Sequence, residues 1–324
     1  MQYQTILAIT LCAISITIDA TSTWSYTNKS TNPTTWANQF HTCGGHFQSP
    51  IDLPNNGLVY LANLGKIKMF INKKNSSAKY TVFNNGHSVM IKFPPDVYTV
   101  ALSEDTDETY AVLQIHFHWG STNQIGSEHK VDGRTYALES HLVCYNNKLY
   151  KTLSEAASSP SGIAVLAFLN KMEKDVKTDE TQIGILTGLE ESIPKVVNPS
   201  QTTMIDPFDL SKIFSQVQTD EYYRYYGSLT TPPCTENVVW TVFRKPIPIT
   251  PHQLNLFRSL KFPASESQTN MMDNYRPVQP LNTQSSPFPR TVFKSWNAAT
   301  RMKETMWMLT VTIVLKDLLF SRSD

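Results

Sequence analysis

Short apolar or alternating runs recur along most of this chain, separated by clusters of Asn, Gly, Pro and Ser. They fall at 66–71, 80–83, 89–93, 111–119, 135–145, 163–169 and 238–243. Runs of this length bounded by turn formers predict β-strands, and their number predicts a β-rich domain. Helical patterning is scarcer, at 181–191, 209–214 and 251–260, the last with Thr250 placed to cap and Pro251 at the first helical position. No internal repeat, low-complexity tract or linker interrupts the body of the chain.

Two of the predicted strands carry histidines in a telling phase. In Gln114-Ile-His-Phe-His-Trp-Gly120, His116 and His118 are two apart and so project from one face, with Gln114 on the same parity. In the run 136–144, Glu139, His141 and Val143 likewise share a face. Each set places a hydrogen-bonding side chain two residues before a histidine, as suits a partner that orients a ligating ring. Three neutral imidazoles with a fourth position left open match a catalytic zinc, whereas structural zinc takes four protein ligands and often thiolates. A lone His-x-His in a packed strand is the ordinary alternative.

Further segments make the chain similar to the alpha-class carbonic anhydrases over roughly residues 24–294. They are Gln48-Ser-Pro-Ile-Asp52, Asn84-Asn-Gly-His87, Ser127-Glu-His-Lys-Val-Asp132, Glu139-Ser-His-Leu-Val143, Gly227-Ser-Leu-Thr-Thr-Pro-Pro233 and Asn274-Tyr-Arg-Pro-Val-Gln-Pro280. The resemblance implies a mainly β (α+β) single domain around a large, mostly antiparallel twisted sheet of about ten strands with peripheral helices. It also implies zinc-dependent, reversible hydration of carbon dioxide to bicarbonate and a proton by a zinc-bound hydroxide.

By resemblance, His116, His118 and His141 hold Zn2+, and Gln114 and Glu139 orient two of the rings. Thr230 directs the nucleophile and donates its own hydrogen to Glu128. Val143, Val165, Leu229 and Trp240 form the apolar substrate pocket, and Thr231 lies at its polar edge. His87 matches the proton shuttle, an imidazole whose ordinary pKa near 6.5 suits a relay. Tyr26 and Asn85 match residues of the water network that feeds it, but Met90 stands where many fast members carry asparagine, which weakens that network. His129 is expected to make a structural hydrogen bond. Anions and sulfonamides are the inhibitors the family implies. A non-catalytic relative would lack one or more ligand histidines, and a jelly-roll oxygenase would ligate through a carboxylate; neither fits the retained set.

Composition narrows the partners. Hydrophobic residues make up 40% and charged ones 17%, enough for a buried core. A net charge of +1 offers no long-range attraction to nucleic acid or an anionic membrane surface and suits a small neutral substrate.

The ends point outside the cell. An apolar run at 6–18 followed by Asp19-Ala-Thr-Ser22 reads as a signal peptide over 1–20, although no Lys or Arg precedes it. The catalytic domain then spans 21–294, and 295–324 is a tail. Its apolar stretch at 306–315 is broken by Lys316-Asp317 and is too short to span a bilayer. The tail reads either as a lipid-anchor signal or as a loosely packed end, so membrane contact is expected only through that anchor. Export leaves Cys43, Cys144 and Cys234. Cys144 has the opposite parity to Val143, and resemblance to extracellular members implies a disulfide between Cys43 and Cys234 with Cys144 reduced. Asn28 and Asn75 begin glycosylation tripeptides.

Overall fold

The first eight residues of the run Ile163–Met172 are buried without alternation, because both faces of this strand are covered. The structure, a computed structural model, describes residues 24–72, 77–104, 106–173, 185–282 and 286–296. The expected signal peptide, Asn75 and most of the tail lie outside the described residues. In chain order the strands are β1 (Asp52–Leu53), β2 (Val59–Tyr60), β3 (Lys68–Ile71), β4 (Tyr80–Asn84), β5 (Val89–Lys92), β6 (Tyr98–Ala101), β7 (Thr109–Trp119) and β8 (Lys130–Val131). They continue with β9 (Leu138–Asn146), β10 (Ile163–Met172), β11 (Thr202–Ile205), β12 (Tyr222–Gly227), β13 (Val238–Phe243), β14 (Ile247–Ile249) and β15 (Phe293–Lys294).

Among the described residues, thirteen strands form one sheet, ten of them on the path β11-β4-β5-β7-β9-β10-β13-β12-β15-β2. The expected sheet is therefore present but larger. It is also mixed, since β10 runs parallel to β13 and β14, and β15 parallel to β2. β1 and β8 pair separately.

Alternation along the central strands divides the core in two. Leu142, Cys144, Ala164, Leu166 and Phe168 pack on one side, while Val165, Ala167, Leu169, Trp240 and Val242 pack on the other. Cys144 faces core on the side away from Val143, as parity requires, and burial pushes its thiol far up. The helix Pro251–Arg258 covers the first side, its Phe257 ring 5.1 Å from Phe117 and 5.2 Å from Trp119. Thr250 and Gln253 form a reciprocal capping box at its start. The 181–191 pattern yields a helix at Ile185–Ser192, and 209–214 yields a 3-10 turn at Leu210–Ser215. Among the described residues no helix is long and apolar enough to cross a membrane.

Candidate metal centre

Register brings the histidines together. In the antiparallel pair of β7 and β9, Gln114 lies opposite Val143, His116 opposite His141 and His118 opposite Glu139. Directly opposed residues share a face with Cβ atoms about 5 Å apart. A register shift between Val112 and Gln114 sets this phase. The ring centroids lie 5.1 Å (His116–His118), 5.2 Å (His116–His141) and 4.6 Å (His118–His141) apart, with ligand nitrogens within 4.8 Å of one another.

Hydrogen bonds fix which nitrogen of each ring is free. Nδ1–H of His116 donates to Gln114 Oε1 at 3.0 Å, and Nδ1–H of His118 donates to the Asn274 carbonyl at 2.8 Å. His141 is reversed: its Nε2–H donates to Glu139 Oε1 at 2.7 Å. The acceptors leave lone pairs on Nε2, Nε2 and Nδ1 respectively, because a neutral imidazole has one donor and one acceptor nitrogen. Burial pushes His116 well below the ordinary imidazole range, with the neighbouring rings of His118 and His141 next in effect, and burial lowers His118 against the pull of Glu128. Both rings are therefore neutral at pH 7, as metal ligation requires.

The residues present fit a cation. His118 Nε2 is buried with no hydrogen-bond partner, and so is Glu128 Oε2, 3.5 Å from it and 3.8 Å from His141 Nδ1. Two acceptors facing each other without a donor are costly in a buried site unless a positive ion sits beside them. The three-nitrogen donor set is that of zinc.

Around the rings the sheet continues in rows. Gln114, Val143, Val165, Trp240 and Tyr225 are successive cross-strand partners over five strands. This row brings three of the expected pocket residues side by side; Val143 is half-buried, and Trp240 lies 4.9 Å from the His141 ring. The loop after β12 carries Leu229, half-buried, and Thr230, buried. It is held by Trp240 Nε1–H donating to the Ser228 carbonyl at 3.0 Å and by Cys234 N–H donating to the Thr231 carbonyl at 2.9 Å. Cys43 and Cys234 are joined in a disulfide.

The expected bond from Thr230 to Glu128 is not made. Glu128 Oε1 accepts from Arg276 N–H at 2.8 Å, and Oε2 is turned toward the imidazoles. The His87 ring stacks on Trp24 at 3.8 Å, and burial pushes it down to about 4, against a smaller upward pull from Glu266. The arm bearing Trp24 and Tyr26 is fastened by Glu266, which accepts from Tyr26 N–H at 3.1 Å and Thr27 N–H at 3.0 Å. Tyr26 is buried near Glu128 and Arg276, whereas Asn85 is exposed and uses Oδ1 to accept from His87 and Ser88 N–H in a local turn. Met90 is the cross-strand neighbour of His116. Asn28 is exposed.

A buried network behind His141 was only partly legible. Glu139 Oε1 also meets His129 Nδ1 at 2.6 Å, His129 Nε2 meets the Tyr225 hydroxyl at 2.6 Å, and that hydroxyl donates to Ser49 Oγ at 3.0 Å. Ser49 in turn accepts from Ser228 N–H, just before Thr230. Burial alone would raise the Glu139 carboxyl, but His129 and His141 hold it well below the usual carboxylate range. The structural bond expected of His129 is thus part of a chain whose members Tyr225 and Ser49, and the Asn274 carbonyl on the opposite side, carried no signal beyond lying in or near matched segments.

Fold and site define a mainly β protein with three imidazoles placed to hold a metal ion beside a partly apolar wall. The model of the eukaryotic-type carbonic anhydrase family matches residues 31–288, and the chain belongs to that family of enzymes. It is 35% identical to human carbonic anhydrase 12 over 262 residues, covering 80% of this chain and 70% of that protein. Identity to dog carbonic anhydrase 6 is 35% over 266 residues, covering 81% and 78%, and to mouse carbonic anhydrase 7 it is 34% over 261 residues, covering 80% and 94%.

Proposed function

We propose that this chain catalyses the reversible hydration of carbon dioxide with zinc held by His116, His118 and His141, and that it does so outside the cell. The observation that carries the reading is the set of three imidazoles whose other nitrogens are committed to Gln114, Asn274 and Glu139, so that the remaining lone pairs converge. Bound zinc supplies the Lewis acidity that lowers the pKa of a water to roughly 7, giving a nucleophile at neutral pH.

The chain's own residues do the rest. Val143, Val165, Leu229 and Trp240 give an uncharged substrate an apolar wall beside the metal ligands. With the metal bound, Thr230 would accept a hydrogen from the nucleophile and turn its own toward Glu128 Oε2, the carboxylate oxygen to which it is not yet bonded and which has no hydrogen-bond partner. That acceptor chain aims a lone pair at the substrate, and Thr231 receives bicarbonate at the polar edge. His87 takes the proton outward through waters bounded by Tyr26 and Asn85. Small anions and aromatic sulfonamides would compete at the metal. The Cys43–Cys234 bridge supports an oxidising compartment, and Asn28 is available there for glycosylation.

Metal content and carbon dioxide hydration measured on the purified protein test the reading. His118→Ala should lose most of its zinc and its activity. Full activity with stoichiometric zinc in that variant would refute the ligand assignment.

A further inference from the structure

Away from the histidines, a cavity of about 380 Å³ opens between β12, the turn from β13 into β14 and the segment after β8. Its walls include Arg134, Arg244, Lys245, Tyr136, Tyr223 and Glu221. Tyr223 belongs to the cross-strand row that runs from His116 through His141, Ala167 and Val242. It lies three strands beyond His141, about 14 Å at ordinary strand spacing, so the cavity is distinct from the metal centre.

The charge in this cavity is unbalanced. Three cationic side chains line it against one lining carboxylate, that of Glu221, which is buried and pairs with Arg244 Nη1 at 3.2 Å, and the carboxylate of Asp132, not itself in the wall, also acts on the Tyr223 phenol. Among the described residues neither Arg134 nor Lys245 forms an ion pair. The net charge of the whole chain is only +1, so this excess is local. Two of the cations also act on hydroxyls of the wall, Arg134 on the Tyr136 phenol and Arg244 on that of Tyr223. Beside them lies an aromatic shelf. Trp296 meets the Tyr223 ring edge-on at 5.0 Å and carries the Arg244 guanidinium over its face at 5.2 Å.

We propose that this cavity binds a small organic phosphate or sulfate monoester. A tetrahedral oxyanion can take the Arg244 fork, the Lys245 and Arg134 charges and the tyrosine donors at once, which neutral ligands cannot. The volume is within the range of small-molecule sites, about 300–1,000 Å³, and leaves room for a ring beside Tyr136 and Tyr223, both in its wall. Excess positive charge with few compensating carboxylates also raises the local anion concentration.

Phenyl phosphate and phenyl sulfate are the probes, titrated into the full chain by calorimetry. Saturable binding is expected, weakened roughly tenfold or more by Arg134→Glu and by Lys245→Glu and unchanged by Lys148→Glu, a charge reversal at an exposed site elsewhere. Tighter binding of the phosphate would identify phosphate esters as the ligand, and the reverse order sulfate esters. Absence of saturable binding at millimolar probe would overturn the proposal, as would an equal loss in Lys148→Glu. So would binding that survives both cavity variants and disappears in His118→Ala, because the probe would then sit at the metal centre.

Discussion

At the residue scale, the site works by assigning every polar atom near the histidines except those that chemistry needs. Thr230 is a case in point: its loop is fixed through Ser228 and Trp240, while Glu128 Oε2 has no hydrogen-bond partner. Thr230→Ala should keep zinc yet lower kcat/KM for hydration by roughly 10²-fold, the scale of losing one oriented hydrogen-bonding group at a reacting centre; an unchanged value would remove Thr230 from the mechanism. His87 sets a different limit. A ring held at about 4 is a weak acceptor, and taking a proton from a donor near pKa 7 is uphill by about 3 units, or ~4 kcal/mol. Turnover in dilute buffer should therefore be slow, and added imidazole should raise kcat with little change in kcat/KM. Trp24→Ala, which removes the stacked partner, should move the His87 NMR titration midpoint up toward 6.5 and speed turnover. A midpoint near 6.5 in the native protein would show that the stack does not govern the ring. The same burial bears on stability. A folded pKa below the unfolded one means that the contribution of neutral His87 is present above pH 6.5 and is lost as pH falls toward 4.

At the scale of elements, β7, β9, β10 and β13 act as a ruler. One face of each strand delivers a ligand or a wall residue at the same step, so Val143, Val165 and Trp240 align without any loop to place them. Val165→Phe should crowd the wall, costing about 1–3 kcal/mol in overpacking, and should cut hydration at least tenfold while zinc content stays stoichiometric. Retained activity would show that substrate approaches from another side. Much of this ruler was readable in advance, since period-two alternation fixes which of Gln114, His116, His118, Glu139, His141 and Val143 share a face. What alternation could not show is pairing between distant strands. The strand Tyr222–Gly227 went unpredicted because Tyr-Tyr-Arg-Tyr-Tyr carries no apolar and polar alternation, yet its first four residues are buried between β13 and β15. Hence Tyr225 and its bond to His129 were invisible. The Asn274 carbonyl escaped for another reason, being a backbone group that lies 156 residues from the ring it orients. The burial that lowers His87 was not legible in the sequence, since Trp24, the ring stacked on it, is a neighbour that only the folded arm supplies.

At the scale of the whole molecule, segments far apart in sequence, around residues 43–49 and Arg276, are tied to the site. Arg276 donates to the Gln48 amide, the Ser49 carbonyl and the Cys43 carbonyl, while its own N–H holds Glu128. The Gln48 amide donates in turn to the Cys234 carbonyl at 3.2 Å. The Cys43–Cys234 bridge thus closes a framework that already fixes the Thr230 loop by hydrogen bonds, and its two cysteines are 191 residues apart in sequence. Closing so long a loop restricts the unfolded chain by about 5 kcal/mol on a chain-entropy estimate. Hydrogen bonds through Ser49 and Trp240 also hold the loop in the folded state. These two roles separate experimentally. Cys43→Ser with Cys234→Ser should unfold at clearly lower denaturant concentration while retaining most of its hydration activity where it remains folded. Peptide mapping of the native protein should find this bridge with Cys144 reduced. If the double variant kept its stability but lost activity, the bridge would be positioning Thr230 directly, and the hydrogen bonds from Ser49 and Trp240 would be insufficient to hold the loop.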